Sequence, residues 1–132
     1  MNRIVEEAFL TTAPRWRDEP ESRGDMIRVV KRLTPVSPVL ASVGGLHDAI
    51  VNLIMNSVDA MPKGGTISVR TAEDEGGVQI TFEDTGVGMD EETTARVFEP
   101  FFTTKRDVGS GLGLSTVYGT IMGFGGRVKA EK

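Results

Sequence analysis

Two asparagines and two aspartates are spaced to share one side of a helix. Asp48, Asn52, Asn56 and Asp59 follow one another at intervals of four, four and three residues, and residues three or four apart lie on the same side of an α-helix. Asparagine disfavours a helix by about 0.5 kcal/mol relative to alanine. The amide oxygen of Asn56 suits a hard cation such as magnesium, which usually accompanies phosphates. The alternative is a stripe of solvated side chains.

A second candidate binding segment, Asp84–Gly88, follows a predicted strand and has the sequence DTGVG. Asp-Thr-Gly is common in turns, where the aspartate accepts a hydrogen bond from its own backbone. In a functional interpretation, the Asp84 carboxylate accepts a hydrogen bond from the exocyclic amine of adenine, where guanine has a carbonyl group. Gly86 and Gly88 would let the main chain approach the ring because they lack a Cβ atom. We therefore expect Asp84 to select ATP over GTP.

Three alternating glycines, Gly109, Gly111 and Gly113, lie at the start of another predicted helix. Free N–H groups at a helix N-terminus bind phosphate well. The spacing GxGxG matches neither the dinucleotide pattern GxGxxG nor the pattern GxxxxGK[ST]. A flexible linker is the alternative, but Leu112 and Leu114 begin an amphipathic pattern at once. We expect this segment to bind phosphate groups.

The run Phe98–Lys105 contains three of the six phenylalanines and ends in polar residues. Aromatic side chains most often anchor a loop to a core. Here they would anchor a lid over residues 98–110, whose closure excludes water from the phosphates. Because the chain is acidic, a bound triphosphate requires nearby cations. Lys105 is the first candidate, Arg106 the second and Lys63 the third.

Hydrophobic patterns predict the elements that position these residues. A helix over residues 46–61 buries Leu46 and Ile50 on one face. Alternating apolar residues predict an antiparallel pair of strands, Thr66–Thr71 and Val78–Glu83. The other predicted elements are an N-terminal helical segment over residues 1–20 that is interrupted at Pro14, a strand over Met26–Leu33, a helix over residues 111–124 and a last strand over Arg127–Glu131.

Composition limits the class of protein. The 132 residues predict a single domain, residues 1–132, with 39% hydrophobic and 26% charged residues. No segment approaches the roughly 20 apolar residues of a membrane span. The absence of cysteine excludes disulfides and thiolate metal sites. A net charge of −4 argues against a nucleic-acid surface, which needs a clustered basic face.

Taken in order, these segments resemble the ATP-binding catalytic domain of sensor histidine kinases, in a superfamily shared with DNA gyrase, heat-shock chaperone and mismatch-repair ATPases. Asn52–Asn56 resembles the N box of that family, Asp84–Gly88 its DxGxG box, Phe98–Phe102 its F box and Gly109–Gly113 its second glycine box. The sequences DAMPKGGTISV and FFTTK are similar to the nitrogen-regulation class of kinases. The resemblance covers nearly the whole chain from about Ile4.

The resemblance implies an α+β fold of the Bergerat type, a two-layer α/β sandwich with helices on one face of a mixed, largely antiparallel sheet. ATP would lie with Mg²⁺ between the helices and the lid. Asn56 would ligate the metal, and Asn52, Asn56 and Lys105 are the implied catalytic residues. The implied nucleotide-binding residues are Asn56, Asp59, Asp84, Gly86, Gly88, Met89, Phe98, Thr103, Thr104, Lys105, Gly109, Ser110, Gly111, Leu112, Gly113 and Leu114.

The implied reaction is transfer of the γ-phosphoryl group of ATP to a histidine on a separate dimerisation and acceptor domain. The group would then pass to an aspartate on the receiver domain of a response regulator. Gyrase-like and chaperone-like members have a glutamate four residues before the magnesium asparagine, where it activates water. Here that residue is Asn52, and an amide is no general base. We therefore expect poor hydrolysis of ATP and transfer to an external acceptor.

Two features depart from the family pattern. The sole histidine, His47, begins the predicted Asn helix and is interpreted as a surface residue, and no segment resembles the acceptor helix hairpin. The chain also ends at Lys132, where the family usually continues into a GxGTxF strand. Two alternatives therefore stay open, a non-catalytic nucleotide-responsive docking module and an anti-sigma-type serine kinase of the same superfamily. We expect a cytoplasmic monomer, or the cytoplasmic part of a membrane sensor.

Overall fold

A computed structural model describes residues 1–39, 41–86 and 113–126, with the backbone alone for residues 113–116. The helical elements are α1 (Asn2–Ala13), the π-helix π1 (Pro14–Asp18), α2 (Glu19–Ser22), α3 (Val43–Asp59) and α4 (Gly113–Gly123). The strands are β1 (Ile27–Leu33), β2 (Gly65–Asp74) and β3 (Gly77–Asp84). None of the helices in these ranges combines the length and the apolar content that a membrane crossing requires.

The three strands form one mixed sheet in the order β1-β2-β3. β1 is parallel to β2, with Ile27 opposite Gly65, and β2 is antiparallel to β3, with Ile67 opposite Asp84. The mixed sheet confirms the predicted fold class, although the described strands form one parallel and one antiparallel pair. The predicted strand Arg127–Glu131 lies outside the described residues.

The N-terminal helical segment continues through Pro14, where the sequence pattern predicts an interruption. Pro14 has helical φ and ψ angles of −55° and −35°, and the Glu19 N–H donates to the Pro14 carbonyl oxygen. A hydrogen bond across five residues is that of a π-helix, and proline is tolerated at the first position of a helical segment, where its missing N–H needs no partner. Trp16 donates from Nε1 to the Phe9 carbonyl oxygen at 2.9 Å. This bond holds π1 against α1.

α3 begins three residues before the predicted helix because Ser42 caps it. The Ser42 hydroxyl oxygen accepts a hydrogen bond from the Gly45 N–H at 3.1 Å, which satisfies one of the N–H groups that a helix start leaves free. Gly44 and Gly45 each disfavour a helix by about 1 kcal/mol relative to alanine. For that reason the sequence pattern places the start at Leu46. The helix ends at Asp59, two residues before the predicted end.

The hydrophobic core lies between one face of the sheet and the helices α1 and α3. Its buried members are Val5, Ala8, Phe9, Ile27, Leu46, Ile50, Ile54, Val58, Met61, Ile67 and Val69. Ile121 in α4 and Phe124 just after it pack against this core, and Val117 is buried. The described helices therefore cover one face of the sheet, which confirms the predicted two-layer sandwich.

Candidate functional site

The two asparagines of α3 lie on the side of the helix against which α4 packs. Gly45 is seven residues before Asn52 and eleven before Asn56, so the three residues share one side of α3. The helices are so close at Gly45 that a Cβ atom there would lie 3.3 Å from Cζ of Phe124. Both asparagines are half-buried. Neither side chain forms a hydrogen bond to another residue in the described part of the chain, so both amides remain available to a ligand.

The last glycine of the predicted phosphate segment begins a helix. α4 starts at Gly113 and packs along α3 with its far end, at Phe124, against the first turn of α3, at Gly45. Gly113 lies eleven residues before Phe124, and Asn56 lies eleven residues after Gly45. Both helices rise about 1.5 Å per residue, so an antiparallel packing of α4 on α3 brings the start of α4 toward the Asn56 half of α3. A helix N-terminus at this position suits an anion.

The two aspartates of the polar stripe are both exposed at the surface. Asp59 forms an ion pair with Arg15 of π1, with 3.1 Å between Oδ1 and Nη2. Asp48 Oδ1 lies 3.5 Å from Nδ1 of His47. These positions confirm the predicted polar stripe, and they give Asp59 a structural partner in π1. Its contact with a nucleotide stays a prediction.

His47 lies at the surface of α3, as predicted, with its ring half-buried. Its Nε2 atom lies 3.3 Å from Oγ1 of Thr11, because α1 packs against α3 at this point. The imidazole therefore lies in the contact between two helices. The sequence pattern could not show this because Thr11 and His47 are 36 residues apart.

The end of β3 meets the C-terminal end of α3. Gly86 packs so closely against this end that a Cβ atom there would lie 2.4 Å from the Ala60 carbonyl oxygen. Ala60 is one turn after Asn56, and its N–H donates to the Asn56 carbonyl oxygen at 3.1 Å. The predicted adenine segment and the predicted magnesium ligand are therefore brought together on one side of α3.

Asp84 is exposed at the end of β3, with one carboxylate oxygen engaged. Its Oδ1 atom accepts a hydrogen bond from the Gly86 N–H at 3.0 Å, which is the turn geometry expected of an aspartate in this sequence. Its Oδ2 atom has no hydrogen-bond partner within residues 1–39, 41–86 and 113–126. A carboxylate oxygen can accept further hydrogen bonds, so the turn role and a ligand role are compatible.

Most of the other predicted site residues lie outside the described residues. They are Gly88, Met89, Phe98, Thr103, Thr104, Lys105, Gly109, Ser110, Gly111 and Leu112. The predicted F box and lid over residues 98–110 lie outside them as well. Gly113 and Leu114 are in the first turn of α4, where the backbone is described. The convergence of these residues on one nucleotide stays a prediction.

Two shallow cavities among the described residues lie away from Asn56 and Asp84. One, of about 190 Å³, lies between π1 and the end of α3, beside Arg15. The other, of about 210 Å³, lies on the outer face of the sheet, beside Arg32 and Arg70. Many of the predicted nucleotide-binding residues lie within residues 87–112, outside the described residues, so these two cavities do not test the predicted site.

The sequence is similar to proteins of one family. A family model described as "Histidine kinase-, DNA gyrase B-, and HSP90-like ATPase" matches residues 42–132. The sensor kinase CckA of Brucella abortus is 41% identical over 110 residues, which are 71% of this chain and 12% of that protein. Sporulation kinase A of Bacillus subtilis is 40% identical over 86 residues, 65% of this chain and 14% of that protein. The chain therefore spans only a small part of either relative.

Solved structures of sensor histidine kinases share the fold. The mycobacterial sensor histidine kinase MprB matches with a TM-score of 0.81 at 26% identity, over 95% of this chain and 79% of that chain. Full-length ShkA, solved in complex with AMPPNP, matches with a TM-score of 0.72 at 26% identity, over 90% of this chain and 25% of that chain. The nitrogen-regulation class stays a prediction, because these relatives do not test it.

The contact between Gly86 and Ala60 predicts that Gly86→Ala lowers the free energy of unfolding. The added methyl group meets a backbone carbonyl oxygen, and overpacking of this kind typically costs about 1–3 kcal/mol. Urea denaturation measures the change. Gly119→Ala is the matched control because Gly119 is exposed in α4 with open space around it, and alanine there should raise the stability by up to about 1 kcal/mol. A Gly86→Ala protein as stable as the wild type would contradict the close contact.

Proposed function

The chain belongs to the family of histidine kinase-, DNA gyrase B- and HSP90-like ATPases, as an ATP-binding catalytic domain of the sensor histidine kinase type, and from this premise we propose that it phosphorylates a histidine on a separate acceptor domain. The observation that carries the proposal is the contact of Gly86 with the end of α3. This contact brings the Asp84 segment and the asparagines to one side of the helix, as a single nucleotide site requires.

The described residues fit ATP with Mg²⁺. Within the described residues, the amide oxygen of Asn56 and the Oδ2 atom of Asp84 have no hydrogen-bond partner, so Asp84 can accept from the amine of adenine. No group of three or more histidine and acidic side chains within the described ranges could hold a metal alone. Magnesium needs few ligands from the protein, because substrate phosphates and water supply the others. Full-length ShkA, which shares the fold, was solved in complex with AMPPNP, and this supports binding of an adenine nucleotide by the present chain.

ATP supplies the γ-phosphoryl group, and the residues of the chain bind and orient it. Asp84 selects adenine, Asn56 holds the metal, and the glycine segment before α4 holds the phosphates together with Lys105. Asn52 cannot act as a general base because its side chain is an amide. The site therefore positions ATP and offsets its charge, which is most of what enzymes contribute to phosphoryl transfer. We expect slow hydrolysis and faster transfer to an acceptor.

We propose that the acceptor histidine lies in another domain. His47 is its only histidine, and its ring lies half-buried in the contact between α1 and α3. Because the relatives are much longer than this chain, we assign the acceptor to a histidine-bearing dimerisation domain and the final phosphoryl acceptor to a response-regulator receiver domain. We also propose that the domain by itself is a monomer and acts in the cytoplasm, where ATP is abundant.

Phosphotransfer from radiolabelled ATP tests this function directly. The chain is incubated with ATP, Mg²⁺ and a separate acceptor-helix domain, and mass spectrometry then identifies the labelled residue. We expect label on a histidine of the acceptor, and little release of free phosphate without it. Label on a serine would favour an anti-sigma-type kinase. Normal nucleotide binding without any transfer would instead favour a nucleotide-responsive docking module.

The role of Asp84 predicts that Asp84→Asn weakens ATP binding. The substitution removes the charge from a hydrogen bond to adenine, and a charged hydrogen bond contributes about 1.5–3 kcal/mol, so ATP affinity should fall about tenfold or more. Titration calorimetry with ATP and GTP measures this. Glu83→Gln is the control, because Glu83 is the neighbouring exposed carboxylate of β3. Unchanged ATP affinity in Asp84→Asn would contradict the adenine contact.

The role of Asn56 predicts that Asn56→Asp makes ATP binding more dependent on magnesium. The new carboxylate repels the triphosphate when the metal is absent and attracts the metal when it is present. We expect the ratio of ATP affinities with and without Mg²⁺ to rise about tenfold, which corresponds to a change of roughly 1.4 kcal/mol in binding free energy. Calorimetry with and without Mg²⁺ measures the ratio, and Asp48→Asn in the same stripe is the control. An unchanged ratio would mean that Asn56 faces only solvent.

A further inference from the structure

Thr85 joins the end of β3 to two other elements. Its hydroxyl oxygen accepts a hydrogen bond from the Thr66 N–H at 3.0 Å, and its own N–H donates to the Thr66 carbonyl oxygen at 3.2 Å. The hydroxyl also donates to Sδ of Met61, 3.7 Å away. Thr66 is at the start of β2 and Met61 follows α3, so one side chain connects three parts of the fold.

The site of the hydroxyl depends on the absence of a side chain at Gly65. A Cβ atom at Gly65 would lie 2.5 Å from Oγ1 of Thr85 and 2.7 Å from Sδ of Met61. Gly65 also has a φ of +151°, a conformation that other residues rarely adopt. The glycine thus leaves a space, and the Thr85 hydroxyl and the Met61 sulfur occupy it.

The hydrogen bonds of Thr85 hold the backbone next to Asp84, the residue before it. The regular pairing of β2 with β3 ends where Ile67 lies opposite Asp84. Past that pair, the hydrogen bonds of Thr85 continue the attachment to β2, and Gly86 packs on Ala60. The Asp84 carboxylate is exposed, and within the described residues its only hydrogen bond is the one it accepts from the Gly86 N–H. The direction of its free oxygen therefore follows from the backbone that Thr85 and Gly86 hold in place.

We propose that Thr85 is a positioning residue for base selection, whose hydroxyl holds Asp84 where its carboxylate discriminates adenine from guanine. This inference rests on the proposed nucleotide-binding function. We assign Thr85 no contact with the base; it acts through the geometry of Asp84. A hydroxyl is required because the same oxygen must accept from Thr66 and donate to Met61. Serine can do both, whereas valine, which has a similar shape, can do neither.

Three variants test this inference by the ratio of ATP affinity to GTP affinity in titration calorimetry. Thr85→Val should lower the ratio about tenfold, which corresponds to a loss of about 1.4 kcal/mol of discrimination. Thr85→Ser should keep the ratio within about twofold of the wild type, because it retains the hydroxyl. Thr81→Val is the matched control on the same strand, as Thr81 lines the groove on the outer face of the sheet, and it should leave the ratio unchanged.

Amide hydrogen exchange provides a second readout, independent of the nucleotide. The Thr66 N–H should lose protection in Thr85→Val and keep it in Thr85→Ser. If Thr85→Val does not fold, Thr85→Ala removes the hydroxyl without placing a methyl group beside the sulfur. The affinity ratio and the amide exchange are then measured on that variant. A wild-type ratio in a folded protein without the hydroxyl would overturn the inference. Equal losses in the serine and valine variants would also overturn it.

Asp84→Asn separates failure of this inference from failure of the proposed function. If Asp84→Asn loses the preference for ATP while Thr85→Val keeps it, Asp84 selects the base and Thr85 does not position it. If the wild type binds neither nucleotide, or if Asp84→Asn keeps the preference, the adenine contact itself is wrong and the inference about Thr85 falls with it.

Discussion

The contact between Gly86 and the Ala60 carbonyl oxygen is the constraint on which the candidate site depends. It joins the end of a strand to the end of a helix, and the space for it exists because residue 86 has no side chain. The ion pair between Arg15 and Asp59 also lies at this end of α3. Partly exposed ion pairs contribute only about 0–1 kcal/mol. Close packing is therefore the main determinant of where the helix end lies relative to Asp84.

The helix α3 serves both the core and the site because its two sides differ. Buried Leu46, Ile50 and Ile54 attach it to the sheet, and each such side chain contributes about 1.5–3 kcal/mol when fully buried. Asn52 and Asn56 each disfavour the helix by only about 0.5 kcal/mol relative to alanine. The apolar side easily offsets that cost. The helix can therefore present two amides that form no hydrogen bond to other side chains in the described part of the chain.

The proposed chemistry depends on the absence of a general base at position 52 as well as on the groups that bind ATP. An asparagine at position 52 offers no base to activate water. The half-buried His47 is held between α1 and α3 and is poorly placed as an acceptor. An acidic chain with a net charge of −4 needs local cations and helix N–H groups to hold a triphosphate. In the proposed function, the domain binds and orients ATP, and a separate acceptor domain receives the phosphoryl group.

The sequence by itself determined the elements and the motifs, because apolar spacing and residue types are local properties. It predicted α3, the pair β2–β3 and the asparagine stripe, and these agree with the structure. It misplaced the start of α3, because the serine cap at Ser42 outweighs the two glycines that follow. It also predicted an interruption at Pro14, where the helical segment continues as a π-helix. Contacts between distant residues were decided only by the tertiary structure. A local pattern shows which side of an element is apolar, but Gly86 meets Ala60, and Thr85 meets Thr66, only when the packed core brings those elements together.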